Sequence, residues 1–501
     1  MTMNSDYEKC PPKADAMIQS MRAVGYDFGM AVSDIVDNSI SAGAKNIWIS
    51  YCWKGEDSFM TFLDDGSGMT DDELYNAMRL GSTNPKDIRE PHDLGRFGMG
   101  LKTASFSQCK LLTVASKKEG AVSTRCWDLD LVDEHQEWLL KKTPYRSASE
   151  LMKGLDEVNS GTMVIWEKPD RLLDQLESEQ ESLDSFLKKI HALSQYLGMV
   201  FHRYLETPSR VKIYLGNVEG SFIPVKAWDP FLKTHKATRE LSDEAFRIFN
   251  NKVNVKPYVL PHISKLEGKE HEEAAGPKGW NAHQGIYLYR KERLIIAGGW
   301  LGLGYKQEDH YKLARIMVDI PNSMDQQWHI DVKKAAAKLP DVFANNLKKM
   351  AKVTREKASE AYRFRGKYGA RKTPSVNRFV WKKTEKKGKT SYKVDKEHPV
   401  VNQLLGELKD HKLAVTRLLK LIESTVPVET IIIDNAEKPD SLEKEKHVIT
   451  SRNFPLKEWF EDFVDLEIQK GVAKEDAFRK VLSMEPFIDY PELYALIENY
   501  E

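Results

Sequence analysis

The sequence predicts an α+β layer fold, with helices on one face of a mixed sheet, a second β-rich region behind it and a mainly helical C-terminal region. Three observations carry this expectation. A helical run over 13–44, broken near Gly25, leads into two strand-like runs, Asn46–Trp53 and Ser58–Leu63. Between them stands the turn signal Lys54-Gly55-Glu56-Asp57, so the pair reads as a hairpin. Helices beside strands that form hairpins fit one helical layer on a mixed sheet.

A polar, Gly-rich stretch from Gly81 to Gly100 leads into Leu101–Ser107. Strand-like runs then recur at Lys110–Ser116, Val122–Val132 and Gly161–Glu167, and residues 171–206 read as helix. A second β-rich region includes Arg210–Leu215, Ile286–Tyr289 and Ile316–Ile320. After about Asp341 the composition changes. From Lys348 to Lys396 there are 18 Lys/Arg against 4 Asp/Glu, with Tyr362, Phe364, Tyr368, Phe379, Trp381 and Tyr392 interleaved. Within that segment Arg378–Lys383 and Thr390–Val394 flank Lys386-Lys387-Gly388 and predict a hairpin. The organisation expected is therefore 13–200, 201–345, a basic linker and hairpin over 346–400, and a helical region over 401–501 with a polar linker near Asp434–Lys446.

Composition bounds the function classes. The 501 residues carry 75 basic and 75 acidic side chains, so any surface for nucleic acid must be local. Hydrophobic residues at 41% suffice for real cores. The four cysteines, Cys10, Cys52, Cys109 and Cys126, form no CxxC pair and no Cys/His cluster at zinc spacing. Reduced thiols in a cytoplasmic protein are expected. The polar stretch Met1–Lys13 lacks a signal-peptide core, and no apolar run approaches the ~18 residues of a membrane span. No membrane partner is expected.

Three blocks carry the chemistry. In Ser33-Asp34-Ile35-Val36-Asp37-Asn38-Ser39, Asp34 and Asn38 stand four apart in a helix and share a face. A carboxylate there can orient or deprotonate water while an amide oxygen completes a magnesium shell held mainly by phosphates. The same spacing also fits a solvated helix face. The second block, Asp64-Asp65-Gly66-Ser67-Gly68-Met69, ends a strand; its carboxylate can accept from an adenine amino group, and its glycines let the backbone approach the base. An ordinary Asp/Gly turn would look alike. The third, Gly95-Arg96-Phe97-Gly98-Met99-Gly100-Leu101-Lys102-Thr103, puts glycines and their exposed N–H groups before a helix, where phosphate binds, with Lys102 as counter-charge.

In this order and spacing the blocks resemble the N, G1 and G2 boxes of the GHKL superfamily, shared by gyrase B, heat-shock chaperones, histidine kinases and MutL. Gly161-Thr162-Met163-Val164-Ile165 resembles the family's fourth element, whose threonine helps bind a water at the adenine. The resemblance implies a GHKL (Bergerat) α/β sandwich with ATP and magnesium as cofactors. Asn38 would hold the metal, Asp34 would serve as catalytic base, and Asp64 would read adenine. Gly66, Gly68 and Met69 would shape the base site, with Thr162 beside them. Gly81–Phe97 would be the ATP lid. Gly95, Phe97, Gly98, Gly100, Leu101, Lys102 and Thr103 would complete the phosphate side. One departure matters: many hydrolysing members carry glutamate where this chain has Asp34. The side chain is shorter by one methylene, and a misplaced base slows chemistry, so slow turnover is expected.

The wording of the blocks is most similar to the MORC and MutL branch, particularly prokaryotic MORC-like ATPases of restriction and phage-defence gene clusters. That resemblance implies a transducer-like domain over 201–345, which Gly285–Arg290 and Arg293-Leu294-Ile295 fit. It also implies a lysine for the γ-phosphate, Lys333 or Lys334, within Trp328–Lys334. An exposed basic pair opening a helix reads the same way. The function implied is an ATPase that closes as a homodimeric clamp in a DNA-processing or defence system with other proteins of that system. Non-specific DNA would contact Lys348–Lys396, unless that segment packs on acidic neighbours. The competing expectation is an ATP-sensing scaffold that recruits partners with little turnover.

Overall fold

Gly25, with φ of +78°, parts the first helical run into α1 (Ala14–Arg22) and α2 (Phe28–Ser41). Asp27 starts α2 by accepting from the Met30 N–H at 2.8 Å, a cap worth about 1 kcal/mol. The computed structural model describes residues 12–23, 25–81, 99–173, 178–207, 210–266, 268–330, 337–363, 378–386, 389–408, 411–428 and 455–490, with a few isolated positions beside them. It divides into two compact units, Met1–Arg363 and Phe364–Glu501.

In the first unit β1 (Asn46–Cys52) and β2 (Phe59–Asp64) form the expected hairpin, and α3 (Asp71–Met78) opens on a capping box between Thr70 and Glu73. After α4 (Gly100–Phe106) comes a second hairpin, β3 (Leu111–Lys118) and β4 (Ala121–Asp128). Its two-residue turn, Glu119-Gly120, has φ of +52° and +81°, the left-handed pair that suits a twisted hairpin. The strand expected to reach Val132 stops earlier. The Asp128 carboxylate accepts from the N–H groups of Asp130 and Leu131 and so caps α5 (Leu129–His135). Then come α6 (Arg146–Leu151), β5 (Gly161–Glu167), α7 (Glu179–Val200), α8 (His202–Leu205), β6 (Lys212–Asn217) and β7 (Ile223–Pro224).

The strands form one seven-stranded sheet in the order β4-β3-β5-β2-β1-β6-β7, antiparallel except for β1 beside β6. Val164 and Trp166 of central β5 enter the core shared with the helices, whereas Met163 and Ile165 pack on the opposite face with Ala148 of α6 and Leu155. This explains the unbroken apolar run of β5, since a strand buried on both faces has no polar alternation to show.

A six-stranded sheet follows: β8 (Arg239–Glu240), β9 (Glu244–Ile248), β10 (Asn251–Val259), β11 (Gly285–Arg290), β12 (Arg293–Ala297) and β13 (Ala314–Ile320), with α9 (Lys269–Ala275) and α10 (Gly279–Ala282) between β10 and β11. One face packs on α11 (Asp341–Arg363) through Phe343, Leu347 and Met350. The segment read as a basic linker thus begins as a 23-residue helix, whose apolar stripe is diluted by the lysines between. The other face joins the first core: the Phe231 ring lies 4.7 Å from Tyr258 and 5.3 Å from Tyr287. Tyr289 shares a 2.7 Å hydrogen bond with the buried His202.

The second unit holds a two-stranded hairpin, β14 (Trp381–Lys386) and β15 (Lys389–Val394), and helices over Pro399–Glu407, Lys412–Thr425, Leu456–Gln469 and Lys474–Leu482. Phe460, Phe463, Phe478 and Phe487 centre its core. The polar linker expected near Asp434–Lys446 lies outside the described residues. Among the described residues, no helix is long and apolar enough to cross a membrane.

Candidate nucleotide-binding site

Helix α2 places Asp34 and Asn38 on one face, but in different surroundings. Asp34 is 2% exposed and accepts from the Tyr26 hydroxyl at 2.9 Å, whereas Asn38 is exposed. Helix α4 packs on α2, and a Cβ placed on Gly100 would lie 3.4 Å from Asp34 Oδ2. The start of the third block therefore sits beside the carboxylate of the first.

The next position on α2 ties this face to the second block. Ser39 Oγ donates to Asp64 Oδ2 at 2.8 Å, so the carboxylate at the end of β2 is fastened to the helix that bears Asn38. Pairing of β2 with β5 sets Thr162 opposite Asp64 in register. Asp64 Oδ1 accepts from the N–H of Gly66 at 2.9 Å and of Thr162 at 3.3 Å. The Thr162 hydroxyl shares a 2.9 Å bond with Ser116, which also accepts from the Met69 N–H at 2.8 Å. Burial raises the Asp64 pKa above its usual value, against the opposing effect of Gly66, Ser39 and Thr162 as donors.

The glycines of the second block serve chain packing here. Gly68 has φ of +65°, and a Cβ on it would lie 2.0 Å from the Lys117 carbonyl oxygen. At Gly66 a Cβ would meet that of Ala42 at 2.8 Å. Neighbouring Asp65 takes a different role, accepting from the N–H groups of Lys45 and Asn46 at 2.7 and 2.8 Å and so pinning the start of β1.

The third block is only partly described. Leu101 is half-buried. Thr103 Oγ1 donates back to Met99 O at 2.9 Å. Lys102, expected as a counter-charge to phosphate, is 2% exposed and donates to the Ala77 carbonyl at the end of α3. Burial lowers its pKa to about 8. The lid after Gly81, with Gly95 and Phe97, lies outside the described residues, as do Gly98, Lys333 and Lys334.

The residues present suit ATP and magnesium. Among the described residues Asp64 Oδ2 accepts one bond, from Ser39, and a carboxylate oxygen has room for a second, such as an adenine amino group. Asn38 offers one exposed amide oxygen, the kind of neutral ligand a magnesium ion held mainly by phosphates and water takes. Tyr26, Ser39 and Ser116 are site residues that motif reading passed over. Asp37, on the same helix, lies behind the site: its carboxylate, 1% exposed, pairs with Arg293 of β12 at 2.7 Å. Ser39 and Asp37 flank Asn38 within the first block, whereas Tyr26 and Ser116 carry no local signal.

Residues 26–162 match the family model described as histidine kinase-, DNA gyrase B-, and HSP90-like ATPase. The chain is 29% identical over 93 residues to the ATPase morc-1 of Caenorhabditis elegans, covering 19% of this chain and 10% of that protein. It is 36% identical over 97 residues to ATPase MORC2B of Mus musculus, covering 19% and 9%. To the DNA mismatch repair protein MutL of Halobacterium salinarum it is 35% identical over 94 residues, covering 19% and 13%. The chain thus spans about a tenth of the length of the curated relatives it matches. The match covers the three blocks, α2 through α6 and the first two residues of β5, so residues 26–162 are a GHKL ATPase domain, related in sequence to MORC ATPases and MutL.

Proposed function

We propose that this chain binds ATP with magnesium at the pocket formed by α2, the end of β2 and α4, hydrolyses it slowly, and works as a nucleotide-driven clamp whose two protomers close in a DNA-processing or anti-phage defence system. The observation that carries this reading is the 2.8 Å bond from Ser39 to Asp64. It joins the carboxylate suited to adenine to the helix whose next face carries Asp34 and Asn38, so base and phosphate groups meet one rigid element. Asp64 would accept from the base, Asn38 would hold magnesium, Gly100 would face the phosphates, and Asp34 would orient or deprotonate the attacking water. Bound magnesium would supply the charge that offsets the phosphates. Lys333 or Lys334 would reach the γ-phosphate.

The clamp, the defence setting and the partners are what the likeness of the motif blocks to prokaryotic MORC-like ATPases implies; the MORC and MutL relatives support the ATPase reading alone. For DNA, the basic segment supplies exposed Lys348, Lys349 and Lys352 on α11, and exposed Lys382 and Lys393, directly opposed in the β14–β15 register, with Trp381 and Tyr392 beside them. Like charges facing each other across a hairpin are costly unless an anion covers them. Arg355 does not belong to the exposed basic face of α11. It is buried, with its guanidinium 3.9 Å from the Tyr311 ring and 4.0 Å from that of Tyr305.

The test is solution mass by light scattering, with and without magnesium and a non-hydrolysable ATP analogue, beside Asn38→Ala. A monomer that dimerises only with nucleotide, and not in the variant, is the expected result. Unchanged mass despite measured nucleotide binding would sink the clamp. A second reading, the ATP-sensing scaffold, is favoured by Tyr26, whose hydroxyl already engages the short Asp34 side chain. Turnover absent under all conditions, with a partner captured only in ATP, would select it.

A further inference from the structure

Asp37 stands between Asp34 and Asn38 in sequence but belongs to neither the base nor the phosphate side of the pocket. At about 100° per residue, its side chain leaves α2 roughly 60° from that of Asp34 and 100° from that of Asn38. It meets Arg293, the first residue of β12 and 256 positions along the chain. Arg293 Nε donates to Oδ1 at 2.9 Å and lies 2.7 Å from Oδ2, and the two side chains are 2% and 1% exposed. Arg293 also donates to the Leu294 carbonyl at 3.3 Å, and its guanidinium sits 5.8 Å from the Phe201 ring. Asp34 and the Tyr196 phenol contribute to its electrostatic surroundings. On the same side of α2, a Cβ on Gly29 would come within 2.8 Å of the Tyr196 ring, so α7 leaves the helix little room to roll.

A buried ion pair is a poor device for stability alone. Desolvating both charges offsets most of their attraction, and an apolar pair of similar volume is often as stable. What such a pair does well is fix one geometry, because only one rotation of α2 brings both Asp37 oxygens onto Arg293 Nε. The same rotation sets the direction of Asp34 and Asn38.

We propose that Arg293 is a positioning residue: through its ion pair with Asp37 it fixes the rotation of α2, so that Asn38 and Asp34 face the nucleotide only while the second sheet is docked. This rests on the ATP reading of the site. It makes β12 part of the pocket's support although β12 belongs to the second sheet, and it lets strain in that sheet reach the magnesium ligand without any β12 side chain touching nucleotide.

The test uses the full chain as wild type, as the double variant Asp37→Leu/Arg293→Met, and as Arg293→Lys. Each is titrated with a fluorescent ATP analogue with and without magnesium, and each is unfolded thermally. The double variant is expected to unfold no earlier than wild type and to bind magnesium-free nucleotide as wild type does. Its magnesium-dependent tightening should be lost, a change on the order of tenfold or more. Arg293→Lys keeps the charge without the fork and should recover part of it. A folded double variant with full magnesium tightening overturns the proposal, as does a wild type that magnesium does not tighten. Variants that both fail to fold would make the pair structural and overturn it too. A wild type that binds no nucleotide at all fails the ATP reading instead, and the positioning role falls with it.

Discussion

At the seam between α2 and β12 a buried carboxylate meets a cation; at the end of β2 another meets, among the described residues, only neutral donors. Asp37 and Asp64 are 1% and 5% exposed, so depth does not distinguish them. Asp37 has its charge met by Arg293 and ties α2 to β12. Asp64 has a hydroxyl and two backbone N–H groups, which orient it without neutralising it. A group meant to face a ligand needs the second arrangement, because it must keep both its charge and an acceptor to offer.

The largest effect should come from breaking the ion pair on one side. Arg293→Ala leaves Asp37 buried beside no guanidinium, which costs about 3–5 kcal/mol. Denaturant titration should show it as a large fall in midpoint. Ser39→Ala, which removes one neutral donor from Asp64, should cost only about 1 kcal/mol by the same measurement. Equal losses at the two sites would erase the distinction between them.

Backbone demand at the base end is the next largest. Gly68→Ala adds a Cβ 2.0 Å from the Lys117 carbonyl oxygen at a φ of +65°. Strain and clash together should cost roughly 2 kcal/mol or more, read as a lowered midpoint in thermal unfolding. A neutral result would mean that the loop shifts freely, and that the base end is less rigid than its hydrogen bonds imply.

These contrasts also explain what the sequence could disclose. Asp34 with Asn38, and Asp64 with Gly66 and Gly68, are legible because helix period and turn chemistry act over a few residues. So is β5, whose apolar run matches its burial on both faces. Of two adjacent aspartates, the resemblance picks Asp64 for the base, and the structure adds that Asp65 pins the start of β1 while Asp64 accepts from Ser39. Ser116 and Thr162 meet because β3 pairs with β5, and Asp37 finds Arg293 across 256 positions. No local pattern encodes either partner. Lys102 misleads for a related reason: a lysine beside glycines resembles a phosphate ligand, yet here its chain runs inward to the Ala77 carbonyl. The basic character of α11 hid its helix in the same way, because the lysines between Phe343, Leu347 and Met350 dominate the composition.

Asp64→Asn separates stability from recognition. Burial raises the Asp64 pKa above 3.8, so the folded chain binds this proton more tightly than the unfolded one. Its stabilising contribution is complete below the unfolded pKa and is lost as pH rises through the folded one. The asparagine variant has no charge to desolvate. It should hold its stability across that acidic window and be at least as stable as wild type at neutral pH. Its ATP affinity should nevertheless fall about tenfold, because the amide oxygen is taken by Gly66 and Thr162 and no anionic acceptor remains for the adenine amino group. Isothermal titration and a stability–pH series decide both halves. Undiminished affinity would remove Asp64 from the base site.

The smallest expected effect tests whether the phosphate end resembles the base end or the seam. Tyr26 gives Asp34 a neutral donor at 2.9 Å, as Ser39 does for Asp64, but the consequence should differ. A carboxylate that must take up a water meets competition for it while the phenol donates to one of its oxygens. Tyr26→Phe removes that hydroxyl while keeping the ring, so stability should drop by about 1 kcal/mol or less. ATP affinity should stay unchanged, since Tyr26 meets Asp34 rather than the groups assigned to base or metal. Turnover should rise a few-fold in single-turnover phosphate release, as Oδ2 loses a donor that competes with the attacking water. A fall in turnover would instead mean that the phenol aims the short side chain, so that Asp34 depends on its donor as closely as Asp37 depends on Arg293.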